Sequence, residues 1–202
     1  LILFCADNGG CAEENGSGRP AAPEDLNPAP ITNPMKPGEH QTRMVPSFSR
    51  EGRKVRQGRG VMPGADDTYV AYGLPWANAS NTPFRRYKHW VHEGGIASPL
   101  VVHWPQGINH DQHGGLYHEP AHLIDFMATC VDLAEAEYPQ EANGLAITPM
   151  QGVSLRPAFR GERLSRGKPI FWEHEGNRAM RQGKWKLVAR GHKGPWELYD
   201  ME

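Results

Sequence analysis

The sequence has little of several things, and each shortage excludes a class. Only three cysteines occur, at positions 5, 11 and 130, with no Cys-x-x-Cys pair. An odd count without that pairing gives neither a disulfide framework nor a zinc knuckle. Net charge is nearly nil, with 22 Lys and Arg against 23 Asp and Glu. No overall field draws such a chain to nucleic acid or to an anionic membrane. No apolar run approaches the roughly 20 residues that cross a bilayer. There is no Gly-x-y period and no sustained heptad, so collagen and coiled coil are excluded.

What the chain has in plenty is turn-forming residues. Gly 23 and Pro 18 make up about a fifth of its 202 residues, against roughly 12% in average usage. Trp, Tyr and Phe number six each, enough for a packed interior. The composition is that of a loop-rich globular protein with a real core.

The chain starts on Leu1-Ile2-Leu3-Phe4-Cys5, with no basic segment before it. That is not the pattern of a signal peptide. It reads as a buried strand of parallel type, met in mid-fold, and predicts that the chain is the back part of something larger. Residues 11–66 hold eight prolines and no periodicity. A segment of that length is expected to serve as a lid, a rim or a disordered insert. Its basic run, Arg50, Arg53, Lys54, Arg56 and Arg59, lacks interleaved aromatics and reads as a solvated loop rather than a nucleic-acid patch.

Further along, residues 67–76 suggest a short helix or turn, and residues 99–104 a second buried strand closed by Pro105. The clearest helix spans 122–136. There Leu123, Phe126, Met127, Cys130, Val131 and Ala134 recur at three- and four-residue steps between Pro120 and Pro139. Residues 152–159 suggest another short helix. From Ile170 onward the period becomes that of strands separated by Gln182-Gly183 and by residues 191–194, which predicts an antiparallel meander. The expected class is α/β, with residues 1–160 as one part and residues 161–202 as a small antiparallel subdomain. Trp172, Trp185 and Trp196 are expected in the core of that small sheet.

Several residues carry possible chemistry. Asp7 and Asn8 follow a strand directly, and a carboxylate beside an amide oxygen suits a hard cation such as Ca²⁺ or Mg²⁺. On spacing alone the ordinary Asx turn is the favoured reading, and two oxygens fall short of the 6 to 8 ligands calcium takes. Lys88 lies in Arg85-Arg86-Tyr87-Lys88-His89-Trp90 and offers a point charge for a tetrahedral anion, or simply a solvated basic loop. His89, His92 and Glu93 give the order His-x-x-His-Glu, which matches neither zinc-protease helix motif. For Glu93 the expected role is to fix the loop before the second strand. His174 stands at a strand end beside a turn, where it lines a pocket rim or caps the turn. Asn15-Gly16-Ser17 and Asn78-Ala79-Ser80 fit the glycosylation pattern, a frequent chance match.

Taken in order, these pieces resemble a known family. Ala6-Asp7-Asn8-Gly9-Gly10 after a strand, then Lys88 followed five residues later by Glu93-Gly94-Gly95 and by Ser98-Pro99-Leu100-Val101-Val102-His103-Trp104-Pro105, resemble the C-terminal half of the type I sulfatases. These are arylsulfatase-like enzymes of the alkaline phosphatase superfamily. His122-Leu123-Ile124-Asp125-Phe126-Met127-Ala128-Thr129 is similar to the next helix of that family. Gly152-Val153-Ser154-Leu155, Arg181-Gln182-Gly183-Lys184-Trp185-Lys186-Leu187 and Glu197-Leu198-Tyr199-Asp200 are similar to its closing meander.

The resemblance implies an alkaline-phosphatase-like sandwich with a small C-terminal sheet. It implies Asp7 and Asn8 as ligands of an active-site calcium and Lys88 as the contact to sulfate, with His174 at the substrate rim. The family's nucleophile is a formylglycine made in a Cys/Ser-x-Pro-x-Arg motif. That motif does not occur in these 202 residues, and the remaining calcium aspartates and the general acid are expected upstream. The implied function is hydrolysis of an aryl or carbohydrate sulfate ester. The implied partners are the small-molecule or glycan ester and the N-terminal half of the same enzyme, with no nucleic acid and no membrane. A periplasmic or secreted location goes with the family. Three other readings are a phosphate or phosphonate ester hydrolase of the same superfamily, a non-catalytic module for sulfated glycans, and a zinc protease built on His89 and His92.

Overall fold

A computed structural model describes residues 1–14, 19–71 and 73–202. The Asn15-Gly16-Ser17 pattern lies outside the described residues. The protein is mixed α/β and divides into two compact units, one of Leu1–Cys5 with Pro99–Glu202 and one of Ala6–Ser98.

In the first unit, strand β1 (Ile2–Cys5) pairs with β2 (Leu100–His103) as a two-stranded ribbon. The pairing is antiparallel, Ile2 opposite His103 and Cys5 opposite Leu100. This corrects the expected parallel, buried strand. An apolar run does not carry strand direction, and here every second side chain faces outward, with Ile2 62% and Phe4 71% exposed. The second unit is the segment that joins these two paired strands.

Helix α3 (Ile124–Leu133) forms where the periodicity predicts one, though shorter. Its buried face is not the apolar stripe: Asp125, Ala128 and Thr129 are buried, while Leu123 and Met127 are more than half exposed. The reason is a set of polar ties. Asp125 accepts the N–H groups of His122 and Val153, at 2.8 and 2.9 Å, and pairs with the Arg166 guanidinium. The Thr129 hydroxyl donates to the Asp125 carbonyl at 2.7 Å and accepts the Leu155 N–H at 2.9 Å. Residues 152–155 therefore lie along the helix as an extended strap, not as the expected second helix. Only a 3-10 turn follows, at Ala158–Arg160. A short hairpin, β3 (Glu141–Ala142) and β4 (Leu145–Ala146), closes over Asn143 and Gly144, both at positive φ as such a two-residue turn requires.

The closing meander forms as predicted: β5 (Ile170–His174), β6 (Asn177–Gln182), β7 (Trp185–Ala189) and β8 (Trp196–Asp200), in that spatial order and antiparallel throughout. Ile170, Ala179 and Val188 on one face are buried. Trp172 shares that face, with the Lys186 ammonium 5.6 Å from its ring centre. Trp185 and Trp196 are not core, contrary to expectation. Each is about half exposed and lies under a cation, Lys184 at 4.9 Å and Arg178 at 4.8 Å.

The second unit contains α1 (Gly73–Asn81) and the single turn α2 (Glu93–Ile96). Of the helix or turn expected at 67–76, a helix forms, but it starts at Gly73 and runs on to Asn81. Asn78 of the second glycosylation pattern sits within α1, its amide bonded to the Leu74 carbonyl at 2.9 Å. Of the basic run, Arg50, Lys54 and Arg59 are exposed, as the solvated-loop reading expects, but Arg56 is not. Arg56 is buried and makes two bonds to the buried Asp67 carboxylate, both 2.9 Å. Arg53 donates to the Ala29 carbonyl at 2.8 Å, and Lys54 pairs with Asp25 at 2.8 Å. Each cation closes a stretch of chain that has no ladder to satisfy it.

Candidate active site

Within the second unit, two glycine-containing segments interlock. The Gly9 N–H donates to the Gly95 carbonyl at 2.9 Å. A Cβ on Gly9 would overlap the Gly94 carbonyl, one on Gly94 the carbonyls of Arg85 and Arg86, and one on Gly95 the carbonyl of Trp90. None of these three glycines has positive φ, so it is close backbone approach that demands them. The Asp7–Gly10 turn and the loop that carries Lys88 are thereby pressed together.

Lys88 is fixed through its backbone. Its N–H donates to the Gly10 carbonyl at 3.0 Å, two residues beyond Asn8. On either side of it, Arg86 and His89 adopt φ of 72° and 92°, a region that non-glycine residues rarely enter. The strained loop is braced by Gly94 N–H on the Arg85 carbonyl at 2.9 Å and Trp90 N–H on the Tyr87 carbonyl at 3.1 Å. The Arg86 guanidinium lies 5.1 Å from the Trp90 ring centre, and His89 meets the same ring edge-on. Backbone strain that neighbouring contacts hold in place is a common mark of a functional loop. The Lys88 side chain itself is exposed.

In the turn, Asp7 is exposed and Asn8 half-buried, and the Asn8 amide donates to the Asp7 carboxylate. The donor set is a carboxylate and an amide, both hard oxygen ligands, side by side. It fits a calcium-type cation in kind and supplies two of the 6 to 8 ligands such an ion takes. The structure therefore ties the turn that carries Asp7 and Asn8 to the loop that carries Lys88, through the Gly9 N–H and the Gly10 carbonyl. His174 belongs to the other unit, as the last residue of β5, opposite Asn177, whose side-chain amide donates to its carbonyl at 3.0 Å.

The zinc reading of His89, His92 and Glu93 finds no support. His92 is buried and His89 exposed, and among the described residues these three do not bring their ligand atoms together. The Glu93 carbonyl accepts the Ala97 N–H at 2.7 Å and closes α2. Sequence reasoning missed Asn81, at the end of α1, whose side chain touches both segments. Its one sequence signal is the following Thr82-Pro83, where a helix must stop.

The chain is 30% identical to an uncharacterized sulfatase of Schizosaccharomyces pombe over 146 residues, covering 67% of this chain and 25% of that protein. The chain belongs to the sulfatases. It corresponds to a C-terminal portion of them. An arylsulfatase of Klebsiella aerogenes is 31% identical over 93 residues, 46% of this sulfatase chain and 19% of its own length. A steryl-sulfatase of Mus musculus is 31% identical over 106 residues, 52% of this chain and 15% of its own. The chain thus spans a quarter or less of the length of the curated sulfatases it matches. No protein-family model matches it. Among the described residues, no helix of this sulfatase chain is long and apolar enough to cross a membrane.

Proposed function

We propose that this chain contributes part of the active site of a sulfuric ester hydrolase. The reaction adds water across the S–O ester bond and releases an alcohol and sulfate. The observation that carries the reading is the bond between the Lys88 N–H and the Gly10 carbonyl, which ties the anion-binding candidate to the Asp7–Asn8 oxygen pair. The family to which the chain belongs supplies the substrate class.

Asp7 and Asn8 are the residues of this chain that would hold a calcium ion. When bound, such an ion acts as a Lewis acid toward sulfate oxygens. Lys88 supplies a positive charge on a braced backbone, so little reorganisation is needed as negative charge builds on the sulfate oxygens. As a compact ammonium it pairs with a tetrahedral anion without demanding one planar geometry. For His174 a place at the substrate rim rests on the family resemblance alone. The nucleophile, a formylglycine in this reading, and the general acid are not among these 202 residues. The substrate is an aryl or carbohydrate sulfate, and the enzyme works in a periplasm or outside the cell.

The test is hydrolysis of an aryl sulfate and the matching aryl phosphate by the intact protein, with and without a calcium chelator. Calcium-dependent preference for the sulfate is expected. Faster turnover of the phosphate, or full activity in chelator, overturns the reading.

A further inference from the structure

The Asn81 side chain bonds to both segments of the candidate site. Its Oδ1 accepts the Gly10 N–H at 2.9 Å, and its Nδ2 donates to the Arg86 carbonyl at 3.0 Å. Gly10 follows the Asp7–Asn8 pair, and Arg86 is the left-handed residue two places before Lys88. The residue is half-buried at the last position of α1, and its own carbonyl accepts the Phe84 N–H at 2.8 Å. Its backbone is thus anchored at both ends, by the helix before it and the turn after it. A rigid element presents the amide to two loops.

The chemistry of the side chain matches the task. A primary amide carries an acceptor and a donor a little over 2 Å apart on a short stem. One acceptor and one donor are what an N–H and a carbonyl on two adjacent strands of loop require. The Lys88 N–H to Gly10 carbonyl bond then completes a small ring of contacts, in which Gly10 is held at both its N–H and its carbonyl. The Arg86 bond matters for another reason. A φ of 72° at a non-glycine residue is costly unless its surroundings hold it. The Asn81 amide, bonded to the Arg86 carbonyl, stabilises that conformation, and the conformation sets the direction from which Lys88 leaves the backbone.

We propose that Asn81 is a positioning residue: it sets the Lys88 loop against the Asp7–Asn8 turn and acts on catalysis through them, without touching substrate. The inference rests on the sulfatase reading above. The glycine interlock and two backbone bonds bring the loops together, and Asn81 adds a side-chain tie to each of them.

The test uses the intact protein with an aryl sulfate, calcium titration by calorimetry and amide hydrogen exchange. Asn81→Ala should lower kcat about 10- to 100-fold, the range for lost supporting contacts around a metal site, and weaken calcium binding. The Gly10 and Lys88 amides should exchange faster. Asn81→Asp keeps an acceptor for Gly10 and loses the donor to Arg86, so the Gly10 amide should stay protected while kcat still falls. The double variant Asn81→Ala with Lys88→Ala should lose less than the product of the single losses, because one residue acts through the other. A lowered melting temperature with kcat and calcium affinity unchanged overturns the inference, and so do multiplicative losses. If Asn81→Ala does not fold, a normal kcat for Asn81→Asp overturns it. If Lys88→Ala turns over normally, the reading of Lys88 as the sulfate contact is wrong. If Lys88→Ala is impaired and both Asn81 variants are not, that reading stands and only the positioning role is lost.

Discussion

The Gly9 N–H donates to the Gly95 carbonyl at 2.9 Å, and a Cβ on Gly9 would fall on the Gly94 carbonyl. Gly9→Ala should therefore do more harm than a glycine outside regular structure usually allows. The added methyl must displace the Gly94 backbone and with it the Lys88 loop. Expected results are faster exchange of the Lys88 amide and loss of aryl sulfate turnover in the intact protein. Gly167→Ala, where an added Cβ meets open space, is the control and should change neither.

Lys88→Ala should reduce kcat on an aryl sulfate by about 10²–10³, the usual effect of removing one preorganised charge-stabilising contact. Lys88→Arg should recover only part of it, because a planar fork replaces a point charge. Steady-state kinetics at saturating substrate check both. A rate for Lys88→Ala equal to wild type removes Lys88 from the mechanism.

Asp7→Ala and Asn8→Ala should each weaken calcium binding, with Asp7→Ala the worse because it removes a charge as well as an oxygen. Calorimetry on the metal-stripped intact protein measures it. Equal affinity in Asp7→Ala would falsify the ligand assignment.

The buried Arg56–Asp67 pair should make the Pro-rich segment acid-labile. Bonds from the Arg56 guanidinium hold the Asp67 carboxyl below its ordinary range, against the opposing effect of burial. In the unfolded chain Asp67 titrates near the usual value of about 3.9. Its contribution to stability is therefore present above that pH and disappears as pH falls through the depressed folded value. Asp67→Asn should flatten this acid limb in thermal melts recorded against pH. Arg56→Ala alone should destabilise more than the double replacement Arg56→Met with Asp67→Leu, because the single change leaves a buried carboxylate without its partner.

Asp125→Ala should cost about 3–5 kcal/mol, the range for breaking a buried pair from one side. It strands the Arg166 guanidinium and leaves two backbone N–H groups without acceptors. Asp125→Asn should recover part of the loss, since an amide oxygen still accepts one N–H. Urea denaturation of the two variants, compared at equal slope, gives the difference.

The closing meander could be read residue by residue, because alternation and turn residues are local properties: Gln182-Gly183 marks the hairpin between β6 and β7 whatever surrounds it. The small hairpin at Asn143-Gly144 carries the same kind of signal and was open to the same reading. Helix α3 was legible in its location but not in its buried face. Periodicity counts apolar side chains, and the Asp125 and Thr129 ties to residues 153–155 depend on a strap that is distant in sequence. Within the basic run at 50–59 the burial of Arg56 was not legible, because nothing local shows that Asp67 folds back onto it.

Of the candidate site, the sequence alone supplied the candidates. An Asp-Asn pair after a strand, and a lysine five residues before Glu93-Gly94-Gly95, are patterns in residue type and spacing. The assembly was decided in three dimensions. Antiparallel pairing sets Cys5 opposite Leu100, so the chain leaves β1 and returns to β2 at the same end of the ribbon, more than 90 residues apart in sequence. Glycines without side chains let the departing and returning segments touch, and Asn81 bonds to both. Strand direction, backbone approach and a shared amide are relations between distant residues, and no local pattern of side chains encodes them.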